Sequence, residues 1–365
     1  MERGSARRFA GFHEYKKRRF GKRRDPAEGQ EIDNSHRRHL IKSKECSQWV
    51  ETCSDTRGGF SENFRADFRK SGRFGKQSVL SVRCSGEGQL ILIPPYYSKV
   101  GIGMPFFERE GIRFAYDEFG PAGAPVVVFS HGFLMDGDMF QSNIAELANE
   151  FRCVVWDQRG FGATGATTRA FSYWDSAQDL IALLDHLEVA SASLVGMSQG
   201  GFISMRAALL EPDRFRAIAL ISTRSDVDSE AVQQSFEELK AEWARNGAKN
   251  VAQNLSSFLF GPEYAASVWI QKWMNAGSDH FEHPVNALVS RDDITPRLGE
   301  ITHTSIVFHG RDDAAISPDC AEALAARLPN CKDLILVDRA GHTPNLTHAE
   351  IVNPPLRDFL LRYAR

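Results

Sequence analysis

The sequence predicts an α/β protein: a mainly parallel, doubly wound sheet with one all-helical insertion, preceded by a basic extension. Three observations carry this. Short, continuous, β-branched apolar runs recur through residues 104–365, and segments with a helical apolar stripe lie between them. Such runs fit strands buried on both faces, and their alternation with helices fits parallel pairing. Residues 228–300 interrupt the alternation with helical patterns alone. Charge also changes sign near Met104. Residues 1–103 carry 22 Lys and Arg against 12 Asp and Glu, whereas residues 104–365 carry 22 against 35. The expected organisation is an extension, 1–103, and a domain, 104–365, with its core in 104–227 and 301–365 and a helical cap in 228–300.

The extension contains Lys16-Lys17-Arg18-Arg19 and Lys22-Arg23-Arg24, is rich in Ser and Gly, and lacks sustained periodicity. A segment that buries little apolar surface does not offset its ordering entropy, so disorder is expected. Phe60, Phe64, Phe68 and Phe74 stand among its basic residues. Nucleic-acid binding and organelle targeting are therefore the alternatives, with Glu2 and Glu14 weighing against a transit peptide. Gln89–Tyr97, the most apolar stretch, is expected to pack on the domain as a strand. Met104-Pro105-Phe106-Phe107 reads as an ordinary domain start, which makes Met104 a candidate natural start.

The N-terminus shows no apolar signal region, and no apolar run approaches the roughly 18 residues of a membrane span. Neither secretion nor membrane insertion is expected. The six cysteines, Cys46, Cys53, Cys84, Cys153, Cys320 and Cys331, form no C-x-x-C pair. A reducing, cytoplasmic location fits them, with Cys153 and Cys331 as buried thiols beside strands.

From Met104 the elements follow in order. Phe106–Glu118 reads as a hairpin turning at Glu110-Gly111. Val126–Phe129 is a buried strand, a helix spans about Met139–Glu150, and Cys153–Trp156 is the next strand. Leu180, Leu183, Leu184 and Leu187 give Phe171–Leu187 a helical stripe. Ala192–Val195 is a strand and Gln199–Leu210 a helix, closed by Glu211-Pro212. Ala217–Ile221, Ile306–Phe308 and Leu334–Val337 complete the strands. Within the insertion, helices are expected over Glu230–Asn246, Val251–Phe260 and Pro262–Met274. Its aromatics, Trp243, Phe258, Phe260, Trp269 and Trp273, suit a lid over the carboxyl edge of the sheet, a minority of them lining a pocket.

The chemistry centres on Leu194-Val195-Gly196-Met197-Ser198-Gln199-Gly200-Gly201. A serine on a sharp strand-to-helix turn needs small neighbours two positions away on each side, because two backbones crowd there. The strain of such a turn, about 1–3 kcal/mol, persists only where surrounding structure enforces it. A serine nucleophile also needs a base, an orienting carboxylate and oxyanion donors. His342, in the loop after the last strand, is the base. The carboxylate lies in Gly310-Arg311-Asp312-Asp313, directly after a strand, where Asp312 and Asp313 both qualify. The oxyanion donors are the backbone N–H groups of Gln199 and Phe133, the latter in Ser130-His131-Gly132-Phe133. His131 braces that loop rather than acting as a base.

Five motifs in order carry a resemblance: Ser130-His131-Gly132-Phe133, Asp157-Gln158-Arg159-Gly160-Phe161-Gly162, Gly196-Met197-Ser198-Gln199-Gly200-Gly201, Gly310-Arg311-Asp312-Asp313 with Pro318, and Gly341-His342. Over residues 104–365 the chain resembles the α/β-hydrolase superfamily, in its branch with a single helical cap. Enol-lactonases, cofactor-free haloperoxidase/esterases and carboxylesterases are similar. The resemblance implies Asp313, fourth in the G-x-x-D motif, as the acid, and makes Asp157–Gly162 a structural loop. Two departures stand out. Thr347-His348 replaces the usual acidic pattern after the histidine loop. Gln199 stands where many relatives carry Met, and its side chain is expected beside the oxyanion hole as pocket lining.

The implied activity is hydrolysis of a carboxylic ester or lactone of a small, fairly apolar molecule through an acyl-enzyme. C–C bond hydrolysis or perhydrolysis on the same triad is the alternative, and a receptor-like binding protein is the competing class. With no metal-ligand cluster and no G-x-G-x-x-G fingerprint, no cofactor is expected. The expected partner is the small-molecule substrate, with neither membrane nor nucleic acid, and the oligomeric state stays open.

Overall fold

The computed structural model describes residues 104–277 and 281–364, together with the backbone of two short strands before them. The chain forms two units, residues 1–96 and 97–365. In the first, β1 (Ser81–Cys84) pairs antiparallel with β2 (Leu90–Ile93), Ser81 opposite Ile93. The strand expected over Gln89–Tyr97 is thus four residues long, and it pairs with Ser81–Cys84, a stretch expected to be disordered. The remaining readings of residues 1–103, including a natural start after them, lie outside the described residues.

In the second unit the strands are β3 (Phe106–Arg109), β4 (Ile112–Phe119), β5 (Val126–Ser130), β6 (Arg152–Trp156), β7 (Ala192–Met197), β8 (Phe215–Ile221), β9 (Thr304–Gly310) and β10 (Cys331–Val337). They form one eight-stranded sheet in the order β10-β9-β8-β7-β5-β6-β4-β3. Strands β5 to β10 are parallel, and β4 and β3 add an antiparallel edge. The order reverses at β5, which lies between β6 and β7. In a doubly wound sheet such a reversal opens a crevice at the carboxyl ends of the strands.

The helices are α1 (Gln141–Leu147), α2 (Tyr173–His186), α3 (Gln199–Leu210), α4 (Glu230–Asn246), α5 (Ala252–Phe260), α6 (Ser267–Asn275), α7 (Glu282–Val289), α8 (Pro318–Arg327), α9 (Pro344–Thr347) and α10 (Ala349–Tyr363). Every residue of β5 is buried, and the pleat splits them between two cores. Val127 and Phe129 join Ile144 and Leu147 of α1 and Leu356 and Phe359 of α10. Val126 and Val128 join Leu180 and Leu184 of α2 and Ile203 of α3. This is why the strand reads as a continuous apolar run: both faces are covered.

Local chemistry sets several boundaries. Ser172 and Asp175 make a reciprocal capping box that starts α2 two residues into the predicted stretch. The helix expected from Met139 begins as a 3-10 turn, Gly137–Phe140, before α1. In the insertion α6 starts five residues later than its apolar pattern, and α7 was not anticipated. Cys153 is fully buried, whereas Cys331, at the first position of an edge strand, is only half-buried.

The helices α4 to α7 leave after β8 and return before β9. Their two stems are clasped: Arg291 Nη1 meets Asp228 Oδ2 at 2.7 Å, and the Ile294 N–H donates to the Ser225 carbonyl at 3.1 Å. Among the described residues no helix is long and apolar enough to cross a membrane.

Candidate active site

Ser198 follows β7 and precedes α3 with φ 50° and ψ −113°, a left-handed conformation rare for a side-chain-bearing residue. Four hydrogen bonds hold its backbone there. Its N–H donates to the Ile221 carbonyl at 2.8 Å, and its carbonyl accepts from Gly201 N at 2.8 Å, Phe202 N at 3.2 Å and Thr223 Oγ1 at 2.8 Å. The flanking glycines are steric requirements. A Cβ at Gly196 would lie 2.4 Å from the Gly200 carbonyl oxygen, and one at Gly200 only 1.8 Å from the Ser130 carbonyl oxygen. The glycine spacing read from the sequence is thus the imprint of strand, helix and neighbouring loop meeting at one point.

The structure brings Ser198, His342 and Asp313 together. His342 Nε2 lies 3.0 Å from Ser198 Oγ, and Nδ1 lies 2.8 Å from Asp313 Oδ2. All three are buried. Asp313 Oδ1 accepts from the backbone N–H of Ala315 at 2.8 Å and of Ile316 at 3.0 Å. His309 Nε2, on β9, approaches Asp313 Oδ2 at 3.2 Å. Burial opposes the charge on Asp313. The charge of His342 and the hydrogen bonds from His309 and His342 outweigh it, holding the carboxyl well below its usual range. Asp312, the other candidate, is exposed, with its N–H on the Ala340 carbonyl at 2.9 Å. Arg311 pairs with Asp338 instead, at 2.6 Å.

Ser130-His131-Gly132-Phe133 follows β5 and faces the serine turn. His131 is fully buried. Its Nδ1 is 2.8 Å from the Gly132 carbonyl, and its Nε2 is 3.0 Å from the Gln158 N–H. A carbonyl only accepts and an amide N–H only donates, so the ring is neutral with its proton on Nδ1. Burial pushes its pKa down to about 4. His131 braces the loop, as the sequence suggested.

The brace extends further. Gln158 Nε2 donates to the His131 carbonyl at 2.7 Å, Gln199 Nε2 donates to Gln158 Oε1, and the Tyr173 hydroxyl donates to Gln199 Oε1 at 3.0 Å. The pocket-lining expectation for Gln199 does not hold. Its side chain is 2% exposed and bonded at both ends, so it ties the serine turn to the Phe133 loop. Asp157–Gly162 is structural, as expected. Asp157 accepts from Gly137 N at 2.9 Å and Ala163 N at 2.7 Å, and Arg159 Nη2 donates to Asp179 at 2.8 Å.

Gly132 to Met135 form a tight turn, closed by the Met135 N–H on the Gly132 carbonyl at 3.1 Å. The half-buried Phe133 ring packs edge-on or tilted against Phe161, Phe236 and Phe281 at 5.5–6.0 Å between centroids. Phe236, on α4, and Phe281, ahead of α7, bring the insertion over this loop. Two of its tryptophans stack within it, Trp243 on Phe281 at 4.4 Å and Trp273 on Phe260 at 6.1 Å. The sequence reading missed Tyr173, Gln158 and His309, whose signal is only their company in space.

The chain is similar to known proteins. The family profile of the alpha/beta hydrolase fold matches residues 125–349. A RutD protein of Pantoea ananatis, named for carbamate hydrolysis, is 28% identical over 252 residues, 67% of this chain and 90% of its own. The 3-oxoadipate enol-lactonase 2 of Acinetobacter baylyi is 23% identical over 260 residues, 70% of this chain and 95% of its own. A thermophilic esterase of Thermogutta terrifontis superposes with a TM-score of 0.64 at 26% identity, covering 71% of this chain and 97% of that one. The fold, the order of its motifs and these likenesses agree: the chain belongs to the alpha/beta hydrolase family.

Proposed function

We propose that this hydrolase cleaves a carboxylic ester or lactone of a small, fairly apolar molecule through a serine-bound acyl intermediate. The observation that carries the reading is the His342 ring, set 3.0 Å from Ser198 Oγ on one side and 2.8 Å from a buried carboxylate on the other. His342 Nε2 takes the Ser198 proton as Oγ attacks the carbonyl carbon, then delivers it to the leaving oxygen. Asp313 holds the Nδ1–H and stabilises the imidazolium. The N–H groups of Gln199 and Phe133 receive the oxyanion, each contributing about 3–4 kcal/mol to the transition state. Water, activated by His342, then releases the acid. Residues 228–300 form the cap, and Phe133, Phe236 and Phe281 favour an apolar acyl or alcohol group. The esterase and enol-lactonase likenesses support the same bond class.

A fluorophosphonate probe tests the nucleophile. Wild-type protein should be labelled with loss of turnover, and Ser198→Ala should take no label; equal labelling of both would refute the assignment. Aryl esters, enol-lactones and aryl carbamates, assayed side by side, then identify the bond preferred.

A further inference from the structure

The turn that carries the Phe133 N–H has an unfavourable residue at its corner. Leu134, third of the four residues Gly132 to Met135, sits at φ 66°. Glycine or asparagine takes that corner readily, and leucine does not. A conformation of this kind lasts only where other groups hold it. Helix α6 of the insertion supplies two such groups on successive residues. Trp273 donates its indole N–H to the Leu134 carbonyl at 2.7 Å, in a buried setting. Lys272 meets the two oxygens of Asp136 at 2.7 and 2.6 Å and Asp138 at 2.6 Å. Asp136 in turn accepts from the Asp138 N–H at 3.0 Å, fixing the start of the 3-10 turn that follows.

We infer that α6 is the support of the oxyanion turn, and that Trp273 is the positioning residue that keeps the Phe133 N–H aimed at the reacting carbonyl by holding Leu134. The inference rests on the role of Phe133 proposed above. It joins two features that the sequence separates by more than a hundred residues. The strained turn is complete only with α6 seated, so docking of the cap and readiness of the oxyanion site are a single event. A substrate lying under an unseated α6 meets a serine without its full set of donors.

The test compares one substitution in two backgrounds of the full chain, with an aryl ester as substrate. Trp273→Phe keeps an aromatic ring and removes the N–H. In the wild-type background it should lower kcat by about ten- to a hundredfold with KM within about twofold, the signature of a misplaced transition-state donor. In the Leu134→Gly background the corner needs no support, and the same substitution should cost less than about threefold. Packing lost at Trp273 would act equally in both backgrounds. Equal losses in the two, or no loss in either, would overturn the inference. Should Trp273→Phe not fold, Lys272→Met is measured in the same two backgrounds, with the same contrast expected. Ser198→Ala separates this inference from the reading beneath it. Turnover that survives Ser198→Ala sinks the nucleophile itself, whereas Ser198-dependent turnover with equal losses sinks only the support.

Discussion

Acidification is expected to act on this domain through a buried histidine, His131. His131 is enclosed, neutral, and bonded so that neither ring nitrogen has room for a second role. A proton added at Nε2 would face the Gln158 N–H, donor against donor. Its pKa of about 4 in the folded chain compares with an ordinary 6.5. The unfolded chain therefore binds a proton that the folded chain refuses, and stability falls as pH drops between these values. Above about pH 6.5 the contribution is intact. At about 1.4 kcal/mol per decade the full loss is about 3.4 kcal/mol, of which about 2.5 kcal/mol is gone by about pH 4.5. His131→Asn removes the titration while keeping a neutral donor near the Gly132 carbonyl. The variant leaves the Gln158 N–H without its acceptor and should be about 1–3 kcal/mol less stable near pH 7. Urea unfolding at a series of pH values should show that gap closing by about 2.5 kcal/mol on the way to about pH 4.5. Parallel stability curves for the two proteins would refute the account of His131. Asp313 acts in a separate window: its carboxyl is held below 3.8, so its contribution is present above about pH 4 and is lost only below it.

Two further outcomes follow from the site. Gly200→Ala places a Cβ 1.8 Å from the Ser130 carbonyl oxygen and should cost about 3 kcal/mol or more in thermal or denaturant unfolding, whereas Gly299→Ala meets nothing within 4 Å and should stay within about 0.5 kcal/mol. A mild effect at Gly200 would mean that strand and helix yield there. Asp313→Asn should lower kcat by about 10^4-fold through the wrong histidine tautomer, while Asp312→Asn should leave it unchanged; the reverse pattern in steady-state kinetics would transfer the acid to Asp312.

Strands and the serine turn were legible because their causes are local. A strand covered on both faces must be apolar at every position, so Val126–Phe129 and Cys153–Trp156 announce themselves. Gly196 and Gly200 reveal the turn because backbone contact excludes every other residue there. Asp313, by contrast, was separable from Asp312 only by resemblance, since adjacent positions in a loop differ in direction rather than in kind. Helix α7 escaped notice because Glu282–Val289 is two turns long with Pro284 inside it, too short for a stripe to show. The orientation of Gln199 was misjudged for a deeper reason. Its partners, Tyr173 and Gln158, stand 26 and 41 residues away. No periodicity links such positions, and only the folded sheet brings them together. The same holds for Trp273 and Leu134, 139 residues apart.

The seat of Gly200 on the Ser130 carbonyl also bears on how this protein can change over generations. The interval between the serine turn and the Phe133 loop is a gauge cut from main chain against main chain. At the Gly200–Ser130 contact itself no side chain intervenes for mutation to lengthen, shorten or repolarise. Inheritance can break such a gauge but cannot adjust it. Phe236 and Phe281 meet the Phe133 ring through side chains alone, and such contacts accept exchange one residue at a time. Under the proposed function, substitutions at Phe236 and Phe281 would alter what the site accepts while the Gly200 contact keeps its spacing.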